Sequence, residues 1–129
     1  MIVVDCAAVV DALAAVDGGE ALEEELARNR LHAPSLLDYE VGSAVRGLVL
    51  GGHLGVNRAR DLLADYDALP VRRWPDAAAL RDRAFDLRAN VSAYDAAYVV
   101  LAEALGCPLL TRDARLARAV AGLVEVRLR

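Results

Sequence analysis

Four carboxylates stand where a chain of this pattern can do chemistry: Asp5, Glu40, Asp95 and Asp113. Asp5 ends the β-branched run Ile2-Val3-Val4. Asp113 closes Leu109-Leu110-Thr111-Arg112-Asp113, just beyond a short apolar run. Asp95 opens the largely apolar segment that precedes that run, within Ser92-Ala93-Tyr94-Asp95. Glu40 falls beside an apolar stripe, about one and a half turns into a helix at ~3.6 residues per turn. Carboxylate oxygens are the hard ligands that Mg²⁺ and Mn²⁺ prefer. Several brought close repel one another unless a cation or protons neutralise them. Such a cluster therefore points to a divalent metal. Metal-assisted hydrolysis of a phosphodiester is the chemistry it suits.

Each acid also has an ordinary structural reading. Ser92-x-x-Asp95 fits a capping box, and taken alone Asp95 reads as part of that cap. Asp113 can cap the helix beginning at Ala114, and Asp5 the helix after the first strand. Glu40 is different. It lies mid-helix, caps nothing, and needs a partner if buried.

The elements that must position these acids follow from periodicity and punctuation. Strands are expected at Ile2–Val4, Leu31–Ala33, Pro70–Trp74, Leu109–Leu110 and Val124–Val126, with Arg127–Arg129 fraying. Pro70–Trp74 reads as the least buried of them. Helices are expected at Ala7–Leu13, Glu20–Ala27 (apolar face Ala21, Leu22, Leu26), Ser35–Leu50, Asn57–Asp67, Pro75–Arg88, Ser92 to Gly106, and Ala114–Ala121. Ser35 with Asp38 fits a capping box at the third helix. Short apolar strands alternating with helices predict an α/β domain: a three-layer α/β/α sandwich with a mostly parallel sheet of about five strands. A single domain spanning 1–129 is expected at this length. Sites in such sheets lie outside the C-terminal strand ends, where all four acids could converge.

Composition excludes several classes. All 15 basic side chains are Arg and none is Lys, which removes P-loop, Schiff-base and lysine-assisted aspartyl-phosphate chemistry. The absence of Lys, and of an Asp-x-Asp at Asp5-Cys6-Ala7, argues against receiver and haloacid-dehalogenase-like sites. Net charge is −4, so the chain as a whole is not basic, although charge distribution matters more for a nuclease than the total. Mean hydropathy is +0.29, yet no apolar run is long enough to span a bilayer. Met1-Ile2-Val3-Val4-Asp5 lacks a basic leader and meets an acid at once, so a cytoplasmic location is expected. Cys6 and Cys107 are lone cysteines, expected to be reduced and without a thiolate zinc site. Arg112 beside the acids is a candidate substrate-phosphate ligand, with a solvated loop charge as the alternative. Tyr94 is a candidate base-stacking residue, with core packing as the alternative. Thr111 can offer a hydroxyl to the pocket or simply be a β-branched strand residue. Neither His32 nor His53 is assigned a catalytic role, and His32 is expected to be packed in its strand.

In order and spacing these pieces resemble the PIN-domain ribonucleases, and more narrowly the VapC toxins of VapBC toxin–antitoxin pairs. The resemblance rests on Met1–Asp5, on Pro34-Ser35-Leu36-Leu37-Asp38-Tyr39-Glu40-Val41, on Ser92–Tyr98 and on Leu109–Asp113, and covers essentially the whole chain. It implies a Mg²⁺- or Mn²⁺-dependent endoribonuclease that leaves a 5′-phosphate and a 3′-hydroxyl. Asp5, Glu40 and Asp95 would hold metal directly or through water, with Asp113 completing the pocket. It also implies a homodimer, an RNA substrate, a cognate VapB-like antitoxin, and DNA contact only through that antitoxin. One departure stands out. The family commonly carries Ser or Thr two residues after the first Asp, where this chain has Ala7. That departure keeps open a second reading, a catalytically weak PIN-like binding subunit of an antitoxin–DNA complex.

Overall fold

A computed structural model describes residues 1–129. Five strands form one sheet: β1 (Ile2–Val4), β2 (Leu31–Pro34), β3 (Val71–Trp74), β4 (Leu109–Thr111) and β5 (Val126–Leu128). Their order is β3-β2-β1-β4-β5, and all four pairings are parallel. The connecting helices are α1 (Cys6–Leu13), α2 (Glu20–Arg28), α3 (Leu36–Leu50), α4 (Val56–Ala68), α5 (Ala78–Asp86), α6 (Ala93–Leu105) and α7 (Ala114–Ala119).

Topology divides these helices between the two faces. From β1 the chain steps outward to β2 and β3, then returns past β1 to β4 and β5. Right-handed crossovers place the helices of the outward run on one face and those of the return on the other. Accordingly α1 packs with α2, α3 and α4, while α5 packs with α6. Buried on both faces, the central strands need no polar alternation. Ile2, Val3, Val4, Leu109 and Leu110 are fully buried, which explains their unbroken apolar runs.

The three-layer, parallel-sheet expectation therefore holds, with five local corrections. The last strand lies at Val126–Leu128, two residues beyond the expected span. Its backbone follows β4 in register, Leu109 with Val126 and Thr111 with Leu128. Arg127 and Arg129 do not fray, because both side chains reach Glu25, Arg127 Nη1 at 2.9 Å and Arg129 Nη2 at 3.1 Å. β5 has no fully buried residue, so β3 is not the least buried strand. The Ser35–Asp38 capping box does not form. Ser35 is already helical (φ −57°, ψ −21°), and its hydroxyl caps nothing. Asp38 accepts instead from Tyr66 Oη at 2.6 Å and Arg73 Nε at 3.0 Å. Ala21, expected on the apolar face of α2, is exposed, and Leu22 alone is fully buried there. His32 is packed as expected. Burial, reinforced by Arg72, holds its pKa below the ordinary value, and its Nδ1 accepts from Trp74 Nε1 at 3.0 Å.

Candidate active site

The strand order reverses direction at the β1–β4 pair, and that is where the chain places its first and last acids. Val4 is in register with Leu110, so Asp5 and Thr111 leave the sheet side by side. The Asp5 backbone N–H still donates to Leu110 O at 3.2 Å. In open parallel sheets the crevice beyond such a switch point is the usual ligand site.

Asp5 caps α1, its Oδ1 accepting from the Ala8 backbone N–H at 2.9 Å. Its Oδ2 accepts from the Thr111 hydroxyl, and Thr111 is fully buried. The Thr111 oxygen accepts in turn from the Asp113 backbone N–H at 3.0 Å. Asp113 caps α7 through Oδ1, which accepts from Arg115 N at 2.9 Å and Leu116 N at 3.1 Å. A relay of hydrogen bonds thus joins the exits of β4 and β1. On α6, Ser92 Oγ accepts from the Asp95 backbone N–H at 3.2 Å. Ser92 takes the cap, so the Asp95 carboxylate is not spent on it. Glu40, which no cap explained, accepts from the Tyr98 hydroxyl.

Asp5, Glu40, Asp95 and Asp113 all line one cavity of about 410 Å³, together with Asp11, Cys6 and Tyr98. No arginine lines it. Burial and the gathered charge both act on the cavity's ionisable groups. Burial, with Asp95 and Asp113 adding to it, raises the Asp5 carboxyl to about 6 against the opposing hydrogen bonds from Thr111 and Ala8. Burial and then Glu40, Asp5 and Asp11 push the Cys6 thiol up to about 12, so it is no nucleophile at neutral pH. Burial and then Glu40 hold the Tyr98 phenol well above its ordinary range, so it remains a neutral donor. As placed, no three His, Cys, Asp or Glu side chains are gathered into a finished ligand cluster.

The PIN domain family model matches residues 2–122, nearly the whole chain. The chain belongs to the PIN-domain family. Among relatives of this PIN domain, ribonuclease VapC1 of Mycobacterium tuberculosis is 45% identical over 98% of the chain and 96% of its own length. The VapC ribonuclease Mb0985 of Mycobacterium bovis is 45% identical over 90% of the chain and 88% of its own length. Solved structures share the fold at lower identity. VapC20 of M. tuberculosis, described as a sarcin-ricin loop cleaving toxin, superposes with a TM-score of 0.71 at 19% identity, covering 98% of this chain and 99% of its own. VapBC2 of Rickettsia felis, bound to a promoter DNA fragment, superposes with a TM-score of 0.71 at 14% identity, covering 100% and 99%.

The three further candidates of the sequence fall in different places. Thr111 is against Asp5, with its hydroxyl committed there. Arg112 does not line the cavity and is engaged, Nη1 lying 3.2 Å from Oδ2 of Asp11, an acid that does. Tyr94 is 66% exposed and faces away from the acids, into an apolar groove of about 560 Å³ that also involves Trp74 and Phe85. Two residues that line the acid cavity of the PIN domain were not singled out from sequence, Asp11 and Tyr98. Asp11 lies on α1 six residues after Asp5, a spacing that does not by itself put the two on one helix face, and it lines the same cavity. Tyr98 could have been found from its spacing, one turn after Asp95 on the same helix face.

Proposed function

We propose that this PIN domain is an endoribonuclease, the toxin of a type II toxin–antitoxin pair, hydrolysing RNA phosphodiester bonds with Mg²⁺ or Mn²⁺. The observation that carries this reading is the carboxylate cavity at the β1–β4 switch point, in a chain 45% identical to proteins named as VapC ribonucleases.

The donor set fits a hard divalent cation. It consists of carboxylate oxygens and contains no cation of its own. Asp5, Glu40 and Asp95 would hold the cation directly or through water, and Asp113 would complete the set. When bound, the cation supplies an acidified water as nucleophile and neutralises charge on the phosphate. The chain's residues supply the rest. Thr111 and the Ala8 N–H hold the two oxygens of Asp5. The α7 N–H groups fix Asp113, and Ser92 frees Asp95 to face the cavity. The Ala7 departure loses weight here, because Asp5 takes its hydroxyl from Thr111. The reading as a catalytically weak binding subunit loses weight with it.

The likeness to VapBC complexes supports a VapB-like antitoxin as partner, with DNA approached through that antitoxin. A homodimer and a cytoplasmic location belong to the same reading. No helix is long and apolar enough to cross a membrane.

The test is cleavage of total RNA by the purified protein with and without Mg²⁺ or Mn²⁺, beside Asp5→Asn and Asp95→Asn. Removing a metal ligand is expected to cost about 100-fold or more, at or beyond what loss of a ligand's supporting partner costs. Full activity in both variants, or in excess chelator, would sink the assignment.

A further inference from the structure

Glu40 is the acid whose placement is least explained by local structure. It sits mid-helix on α3, half-buried, where a carboxylate needs a partner. The partner comes from a different layer. Tyr98, only 2% exposed, reaches from α6 and donates its hydroxyl to Glu40 Oε1. No other hydrogen bond within the chain is made to the Glu40 carboxylate.

Tyr98 also stands one helical turn after Asp95, and both line the acid cavity. One rigid turn of α6 therefore carries an acid and the donor that holds a second acid. The bond spans the sheet's two helical layers, joining α3 on one face to α6 on the other. An arginine in this position would bring a positive charge into the cavity and compete with a cation for the carboxylates. A tyrosine holds the carboxylate while leaving the cavity's charge unneutralised.

We propose that Tyr98 is a positioning residue of the site: its hydroxyl holds one oxygen of Glu40 and leaves the other to the divalent cation, setting the spacing of Glu40 from Asp95. The inference rests on the metal-dependent reading above. It adds a residue from outside the four acids, and it makes the α3–α6 bond part of the metal site and not only of the core.

Tyr98→Phe isolates the hydroxyl, because the ring and its packing stay. Tyr66→Phe is the matched control. Tyr66 is another buried tyrosine that donates to a carboxylate, Asp38, outside the acid cavity. Manganese binding is measured by titration calorimetry without RNA, and cleavage of an RNA oligonucleotide gives kcat and KM. Tyr98→Phe is expected to weaken Mn²⁺ binding about tenfold and to lower kcat with KM little changed, as for other partners that orient metal ligands. Tyr66→Phe is expected to lower the melting temperature and leave Mn²⁺ affinity alone. In a Glu40→Gln background, Tyr98→Phe should add no further loss, because the group it acts through is gone.

Wild-type Mn²⁺ affinity in Tyr98→Phe overturns the proposal, as does a loss that adds in full to that of Glu40→Gln. Equal weakening by Tyr66→Phe overturns it too, since the effect would then be general loosening. A wild-type protein that neither binds Mn²⁺ nor cuts RNA overturns the enzymatic reading itself, and this inference with it. A wild-type protein that does both, beside a Tyr98→Phe variant that matches it, sinks the inference alone.

Discussion

At the scale of single residues, the site is a set of acids held by neutral donors. Asp5 shows the logic most fully. Burial, helped by two more acids, raises its pKa to about 6, against a hydroxyl and a backbone N–H that favour its charged form. The carboxylate is thereby kept in place without a counter-charge. Thr111 does this from a fully buried position, and its own oxygen is satisfied by the Asp113 N–H. Thr111→Val keeps the shape and deletes both bonds. It is expected to cost about 1.5–3 kcal/mol, the range for losing hydrogen bonds to charged or buried groups. It should also weaken cleavage, while Thr111→Ser restores most of both. Urea unfolding and RNA cleavage of the two variants check this. A Thr111→Val protein as active as Thr111→Ser would show the hydroxyl to be packing only.

At the scale of elements, local sequence specifies some helix caps and strand ends and not others, for a physical reason. Asp5, Ser92 and Asp113 cap their helices as their positions predict, because a cap needs only extended backbone and N–H groups two or three residues on. Ser35 had the same local pattern and fails, because its backbone has already turned helical and Asp38 is drawn to Tyr66 and Arg73. Those partners lie on α4 and β3, beyond the reach of any local rule. The position of the last strand, Val126–Leu128, is likewise set from a distance. Its end is held by Glu25 on α2, which Arg127 and Arg129 approach from the sheet's edge.

That clasp carries a pH signature. Burial tends to raise the Glu25 carboxyl, but hydrogen bonds and charge from Arg127 and Arg129 win and hold it below its ordinary 4.5. The folded protein therefore binds this proton less readily than the unfolded chain does. The stabilisation is fully present above about pH 4.5 and is lost as pH falls through the lower folded value. Glu25→Gln should be less stable by on the order of 1 kcal/mol at neutral pH, with the difference shrinking below pH 4.5. Urea midpoints of both proteins at pH 7 and pH 3.5 test it. A gap that grows on acidification contradicts the assignment.

For the whole molecule, the consequence of gathering acids is that the apo fold bears their repulsion. A cation that neutralises them binds the native state and not the unfolded chain. At about 100 times its dissociation constant such a ligand adds ~2.7 kcal/mol. For a domain of this size that corresponds to a rise in melting temperature of roughly 5–10 °C. Thermal melts with and without Mn²⁺ should show the rise in the wild type and lose it in Asp5→Asn. An unchanged melting temperature at saturating Mn²⁺ in the wild type would mean that the acids do not form a metal site.

The sequence by itself determined the layer class, the approximate strands and which carboxylates stand at element ends. These depend on burial patterns and on local backbone chemistry, and both are written in neighbouring residues. Tertiary structure alone decided the strand order, and with it the reversal at β1–β4 that brings Asp5 beside Thr111. It decided that Glu40 answers to Tyr98, that Arg112 is taken by Asp11, and that Tyr94 faces a different groove from its neighbour Asp95. Each of these is a partnership between side chains far apart in the chain. A side chain's spacing says which face it is on, but only packing says what stands opposite.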